Sequence, residues 1–166
     1  MEKEVKLSVR GLVEFVLRGG SIDSRFAGYD RMAEGSRIHR KLQKQEGPDY
    51  RAEVALALEV ERGGVRYRVE GRADGIFQQD GETAVDEIKT TGAPVELLTE
   101  EFNRAHWAQG ACYAYIYSRL TGLEAAWVRL TYYQVDTGEV VRHLRRYSFQ
   151  ELEEFYFSLL QEYEKW

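Results

Sequence analysis

Residues 53–89 narrow the choice of fold more than any other part of this chain. In EVALALEVE (53–61), Val54, Leu56, Leu58 and Val60 share one side of an extended chain, while Glu53, Ala55, Ala57, Glu59 and Glu61 share the other. Gly63-Gly64 predicts a tight hairpin turn. The returning VRYRVEGRA places Val65, Tyr67 and Val69 on one side and Arg66, Arg68 and Glu70 on the other. After the turn signal QQDGE, a third strand is expected over about 83–89. Three strands in immediate succession predict an antiparallel meander.

Helical periodicity brackets this block. Residues 7–18 carry Leu7, Leu12, Phe15 and Val16 in an irregular helical pattern, with Ser8 as N-cap and Gly19-Gly20 as the stop. A second helix is expected over about 30–45, with Met32 or Ala33, Ile38 and Leu42 inward and Gly47-Pro48 ending it. A long helix follows over about 99–120. Two strands, 125–135 and one ending near 147, join through DTGE. The last element, 150–166, has the clearest amphipathic stripe: Leu152, Phe155, Tyr156, Leu159, Leu160 and Tyr163. The expected order is ααβββαββα, an α/β domain whose central mixed β-sheet, a meander plus further strands, is flanked by helices. The 166 residues fit one domain. The final stripe runs to the last residue, which suits a piece of a longer chain as well as a complete protein.

Composition removes several classes of function. With 28 Asp and Glu against 23 Lys and Arg, the net charge is −5, which argues against DNA binding through bulk positive charge. The basic charge is local: between Arg31 and Lys44 the only acid is Glu34, against Arg31, Arg37, Arg40, Lys41 and Lys44. A single cysteine, Cys112, excludes a disulfide framework and any four-cysteine metal or iron–sulfur site within this chain. No signal-peptide pattern and no apolar run of eighteen residues is present, so the expectation is a cytoplasmic protein that does not span a membrane.

The acids of GRAD (71–74) and DEIKTT (86–91) hold the chemical interest. In a strand, Glu87 and Lys89 project to one face, Asp86 and Ile88 to the other. If the strands ending at Asp74 and carrying Glu87 are neighbours, the two carboxylates approach each other. They then repel unless a cation or a shared proton intervenes. Oxygen ligands of this kind suit Mg²⁺ or Mn²⁺. A divalent ion, two acids and an ammonium are the parts needed to hydrolyse a phosphodiester. Solvated surface acids beside a lysine are equally common, and local spacing alone leaves both readings open. His39 lies on the basic helix, where Arg37, Arg40 and Lys41 can meet a phosphate backbone; a lone helical histidine is more often structural. His106 and His143 are weaker signals. No phosphate loop, serine elbow, dinucleotide fingerprint or zinc spacing is present.

Four motifs taken together resemble the PD-(D/E)XK nuclease superfamily, in its RecB-like exonuclease branch. They are GSRIH (35–39), VEGRAD (69–74), DEIKTT (86–91) and QGACY (109–113). The resemblance implies a restriction-endonuclease-like core. It implies that Asp74, Glu87 and His39 bind the metal, with the backbone carbonyl of Ile88 as a further ligand, and that Lys89 is the catalytic lysine. Gln109 and Tyr113 would line the DNA-binding side, and Thr90 would contact backbone or phosphate. Glu53 stands where relatives often carry an acid. Ile88 departs from an aromatic common in this branch, and the iron–sulfur cysteines of some relatives are missing. Nuclease domains of this branch are often fused to helicases, some of the DinG type, so a helicase domain in a longer chain is an implied partner.

The expected function is a Mg²⁺- or Mn²⁺-dependent deoxyribonuclease of DNA repair or recombination, acting as an exonuclease and leaving 5′-phosphates. Two alternatives stand beside it. One is a non-catalytic DNA-binding or assembly module that keeps the fold. The other is a structure-specific endonuclease or RNA-directed nuclease. Oligomeric state is not encoded in any motif.

Overall fold

The computed structural model describes residues 3–17 and 32–166, with side chains from Gly35 in the second segment. The expected stop at Gly19-Gly20 and the start of the second helix at residue 30 lie outside the described residues, as do the side chains of Met32 and Ala33. The elements run β1 (Lys3–Ser8), α1 (Val9–Leu17), α2 (Met32–Lys44), β2 (Arg51–Arg62), β3 (Val65–Gln79), β4 (Glu82–Thr91), α3 (Arg104–Thr121), β5 (Ala125–Gln134), β6 (Val140–Ser148) and α4 (Phe149–Glu164). This is an α/β fold with a mixed sheet between helices.

Six strands form one sheet: β1 and β4 take successive lengths of one edge of β3, β5 and β6 follow β4, and β2 pairs along the other edge of β3. The meander β2–β3–β4 is antiparallel. β1 lies parallel to β3 and β4 parallel to β5, which makes the sheet mixed. The first strand, Lys3–Ser8, is absent from the sequence-based expectation and takes Leu7 and Ser8 from the helix predicted over 7–18. Its signal is brief: Val5 and Leu7 pack on the core between the exposed Lys6 and Ser8. Pairing with β3 about sixty residues away decides the matter, and no local pattern reports that pairing. Ser8 still caps α1, its Oγ accepting the Gly11 amide at 2.8 Å. The long helix begins at Arg104 rather than near 99, because Asn103 caps it by accepting the Ala105 amide. It ends on Gly122 in the left-handed region, as glycine at that position allows.

Helices α1, α3 and α4 share one core with one face of the sheet. That core contains Val69, Ala73, Val85, Val128, Leu130 and Tyr132 from the strands, and Cys112, Ile116, Leu152 and Tyr156 from the helices. Helix α2 packs on the opposite face, where Ile38 and Leu42 meet Ile88, with Tyr133 and Val135 against them. No helix among the described residues is long and apolar enough to cross a membrane, which says nothing of a β-barrel.

On α2's face of the sheet, Asp86 is almost fully buried in a polar cage. Arg129 reaches it in a two-pronged pair at 3.0 and 3.1 Å, Thr131 Oγ1 donates at 2.6 Å and Tyr50 Oη at 2.7 Å. The same guanidinium stacks over Phe77 and holds Glu46, which follows α2. The network therefore ties β3, β4, β5 and the end of α2 together. Both oxygens of Asp86 are hydrogen-bonded, which leaves no buried acceptor of this side chain without a donor.

Beside it, Tyr50 lies flat against Gly75; a Cβ there would stand 2.0 Å from the tyrosine ring and hydroxyl. Two outcomes are expected. Asp86→Ala leaves Arg129 buried with only Glu46 and lowers stability by about 3 kcal/mol or more, read as a reduced urea midpoint. Gly75→Ala, by displacing Tyr50, costs about 1–3 kcal/mol in the same measurement.

Candidate metal centre and active site

The site grows from a fork in the sheet. One edge of β3 pairs with β1 over residues 65–70 and with β4 over 75–79. Residues 71–74, Gly-Arg-Ala-Asp, therefore pair with neither strand on that edge. Asp74 does not end its strand, as the sequence suggested; β3 continues five residues to Gln79. What changes at Asp74 is the partner. There β4 has peeled away, and the amide of Ile88 is taken up by the Asp74 carboxylate, Oδ2, at 2.7 Å. A side chain replaces a ladder bond and spaces the two strands.

Alternation breaks at the same level. Arg51, Val54, Ala73 and Ile76 belong to the α3 side: Arg51 stacks on Tyr117, and the other three pack in or against the main core. The two residues between each pair, 52–53 and 74–75, are left for the α2 side, where Tyr50 covers Gly75. The register 51↔76 and 54↔73 is kept throughout. Glu53, opposite Asp74 and outside the pairing, has φ +56°, which a residue with a Cβ adopts at a cost of about 1–3 kcal/mol. Regular strands would have held these two acids apart from α2. The paired break turns both toward it.

Helix α2 supplies the third member. His39 Nδ1 lies 3.4 Å from Asp74 Oδ1. One turn on, Gln43 Nε2 donates to Glu53 Oε2 at 2.7 Å and to the Asp74 carbonyl at 2.8 Å, pinning both strands to the helix. Ligand atoms of His39, Glu53 and Asp74 all lie within 4.8 Å of one another. Burial opposes a charged His39, yet the Asp74 carboxylate, backed by Glu53 and Glu87, outweighs it and raises the imidazole's pKa.

Glu87 stands on the α3 side and is 5% exposed. Its Oε2 meets Lys89 Nζ at 3.2 Å, while Oε1 is buried with no hydrogen-bond partner. Burial pushes this carboxyl up to about 7; Lys89 opposes the shift and Asp74 adds to it. Lys89 Nζ is held from α3 as well, donating to Gln109 Oε1 at 2.8 Å. Asp86, one residue away, belongs to the Arg129 cage on the other face. The two adjacent acids thus have separate surroundings.

The structure brings His39, Asp74, Glu53, Glu87 and Lys89 to one fork, although Glu87 is not within the 4.8 Å group. Gln109 and Tyr113 share the inner face of α3 and are buried, at 5% and 7% exposure. Instead of lining an open surface, Gln109 grips Lys89. Tyr113 places its hydroxyl on the Arg72 backbone and its ring over Gly71, where a Cβ would meet Oη at 2.5 Å. Thr90 is half-buried beside Lys89 and paired with Tyr133. Arg37, Arg40 and Lys41 are exposed on α2; Arg37 and Lys41 lie on the flank away from His39, and Arg40 faces outward between the two flanks. His106 and His143 lie elsewhere, bonded to Tyr132 Oη and to the Leu98 carbonyl. Sequence reasoning missed Gln43, whose spacing of four from His39 was its only signal.

These residues fit a divalent cation. Three carboxylates at one fork repel one another without a counter-charge, and Glu87 Oε1 is a buried acceptor in want of a donor or an ion. The donor set, mainly carboxylate oxygen, suits a hard ion such as Mg²⁺ or Mn²⁺.

The crystal structure of SSO0001 matches with a TM-score of 0.59 at 20% identity, over 97% of this chain and 78% of that one, a likeness of fold. No curated protein matches. The family model of the PD-(D/E)XK nuclease superfamily matches residues 17–165, nearly the whole chain. The chain belongs to the PD-(D/E)XK nuclease superfamily.

Proposed function

We propose that the protein is a divalent-metal-dependent nuclease that hydrolyses DNA phosphodiester bonds, as an exonuclease of the RecB-like branch acting in repair or recombination. One observation carries the reading: the His39–Glu53–Asp74 cluster lies beside a buried Glu87 whose partner, Lys89, is held in place by Gln109. A cluster of this make-up answers the needs of phosphoryl transfer, which are positioning and charge compensation.

His39, Glu53 and Asp74 would hold the ion, with Glu87 and the Ile88 carbonyl as further ligands on the α3 side. Bound there, Mg²⁺ or Mn²⁺ supplies Lewis-acid polarisation of a phosphate oxygen and makes water a better nucleophile at neutral pH. The chain's own residues do the rest. The Ile88 amide fixes the angle of the Asp74 carboxylate. Gln43 holds Glu53 against its strained backbone. Glu87 and Gln109 aim the Lys89 ammonium at the fork, where it orients the attacking water and offsets negative charge gathering on the phosphate. The bond to the 3′-side oxygen breaks, leaving the phosphate on the 5′ end. Exonuclease action and a helicase domain in the same full-length chain are proposed from the branch resemblance.

Two measurements test this reading. With labelled single- and double-stranded DNA and Mn²⁺ or Mg²⁺, wild-type protein is expected to cleave, and Lys89→Ala to be slower by about 10²–10³-fold. Equal rates for the two proteins would remove Lys89 from the mechanism. In calorimetric titration with Mn²⁺ and no DNA, Asp74→Asn and Glu53→Gln are expected each to weaken binding by about tenfold or more. Metal-independent behaviour of all three proteins would favour the non-catalytic module.

A further inference from the structure

Helix α2 has two working flanks. His39 and Gln43, four residues apart, face the metal cluster. Arg37 and Lys41, also four apart, lie on the opposite flank. There they border a cleft of about 250 Å³ with Ile38, Tyr133 and Val135. A second hollow, about 420 Å³, adjoins it along the helix and is lined by Arg37, Arg40, Lys41, Lys44 and Gln45. Among the described residues, no carboxylate lines either one. In a chain of net charge −5, this concentrates cations on one helix flank.

The floor of the smaller cleft is apolar and aromatic. Tyr133 is half-buried, and Lys41 Nζ sits 5.8 Å from the centre of its ring. The cleft is smaller than the roughly 300–1,000 Å³ typical of drug-sized sites, so it has room for one planar ring system. Cations along the rim and a flat apolar floor are complementary to a moiety that joins a planar ring to phosphates. Tyr133 pairs with Thr90, next to Lys89, so the cleft lies one strand along from the candidate catalytic lysine, on the α2 face of the sheet, whereas Lys89 projects to the α3 face.

We propose that this cleft binds one unpaired base of a nucleic-acid strand against Tyr133. The strand's phosphates lie on Lys41 and Arg37 and continue along Arg40 and Lys44. The inference deepens the nuclease reading and rests on it for the identity of the ligand. It adds a base-holding subsite outside the metal cluster, on the far flank of α2, and commits that subsite to single-stranded nucleic acid. A base in a duplex keeps its faces stacked on its neighbours and cannot lie on the tyrosine, whereas every unpaired base offers a face to an aromatic ring.

The test is equilibrium binding by fluorescence anisotropy in EDTA, so that its result does not depend on cleavage. The probes are a labelled oligothymidylate, an abasic phosphodeoxyribose strand of the same length and a duplex of that length. Wild-type protein is expected to bind oligothymidylate roughly fivefold or more tighter than the abasic strand. Tyr133→Leu, which keeps an apolar side chain over Ile38, removes that difference, and Tyr133→Phe retains it. Lys41→Gln, at an exposed position, weakens both single strands and lowers the slope of log affinity against log salt by about 0.7. The proposal is overturned if thymidylate and abasic strands bind wild type alike, or if Tyr133→Leu preserves their difference. Duplex binding as tight as oligothymidylate binding also overturns it. If no probe binds, the subsite is refuted, while the cleavage assay judges the nuclease reading by itself.

Discussion

A single hydrogen bond, from the Ile88 amide to the Asp74 carboxylate, stands where a rung of the sheet should be. Regular pairing between β3 and β4 has ended by then, and β4 leans toward β5. Without an acceptor the amide would be left unsatisfied in a mostly buried place, at a cost of about 1–3 kcal/mol. Asp74 meets that need with one oxygen and turns the other toward His39. The same side chain therefore closes the sheet and opens the site. His39 approaches because Asp74 is there, Glu53 lies opposite it, and Glu87 and Lys89 follow from the strand that it spaces.

The neighbouring residues show how little separates a structural acid from a reactive one. Asp86 and Glu87 are adjacent and both nearly fully buried. Asp86 has a guanidinium, a hydroxyl from threonine and a phenol, and each of its oxygens is bonded. Glu87 has one ammonium and an oxygen with nothing on it. The first arrangement fills every acceptor position from the protein; the second leaves capacity for a ligand. Strand alternation assigns each acid to its face, and the facing elements do the rest.

Much of this was legible beforehand because it is local. Alternation in EVALALEVE and VRYRVEGRA gives strands, glycines and DG give the turns, and DEIK separates its own odd and even positions. The mixed sheet and its flanking helices follow from the order of these segments. What escaped depends on distant partners. Residues 3–8 become a strand only because the first half of β3 offers an edge. Gln43, Tyr50, Arg129 and Thr131 acquire their roles across 10 to 45 residues of chain, as acceptors and donors that no spacing announces. The doubled-up positions at 52–53 and 74–75 run against the pattern that made the strands recognisable. Gln109 and Tyr113 were legible as a pair on one helix face, but whether that face met solvent or the sheet required the packing of α3.

The backbone at Glu53 has a consequence for the history of such a chain. Glycine or asparagine would sit more easily at φ +56°, so the glutamate persists against a conformational preference that acts on every folded molecule. Selection for heat resistance alone would replace it, and selection for ion binding would restore it. Position 53 is thus a place where libraries evolved under the two pressures should diverge.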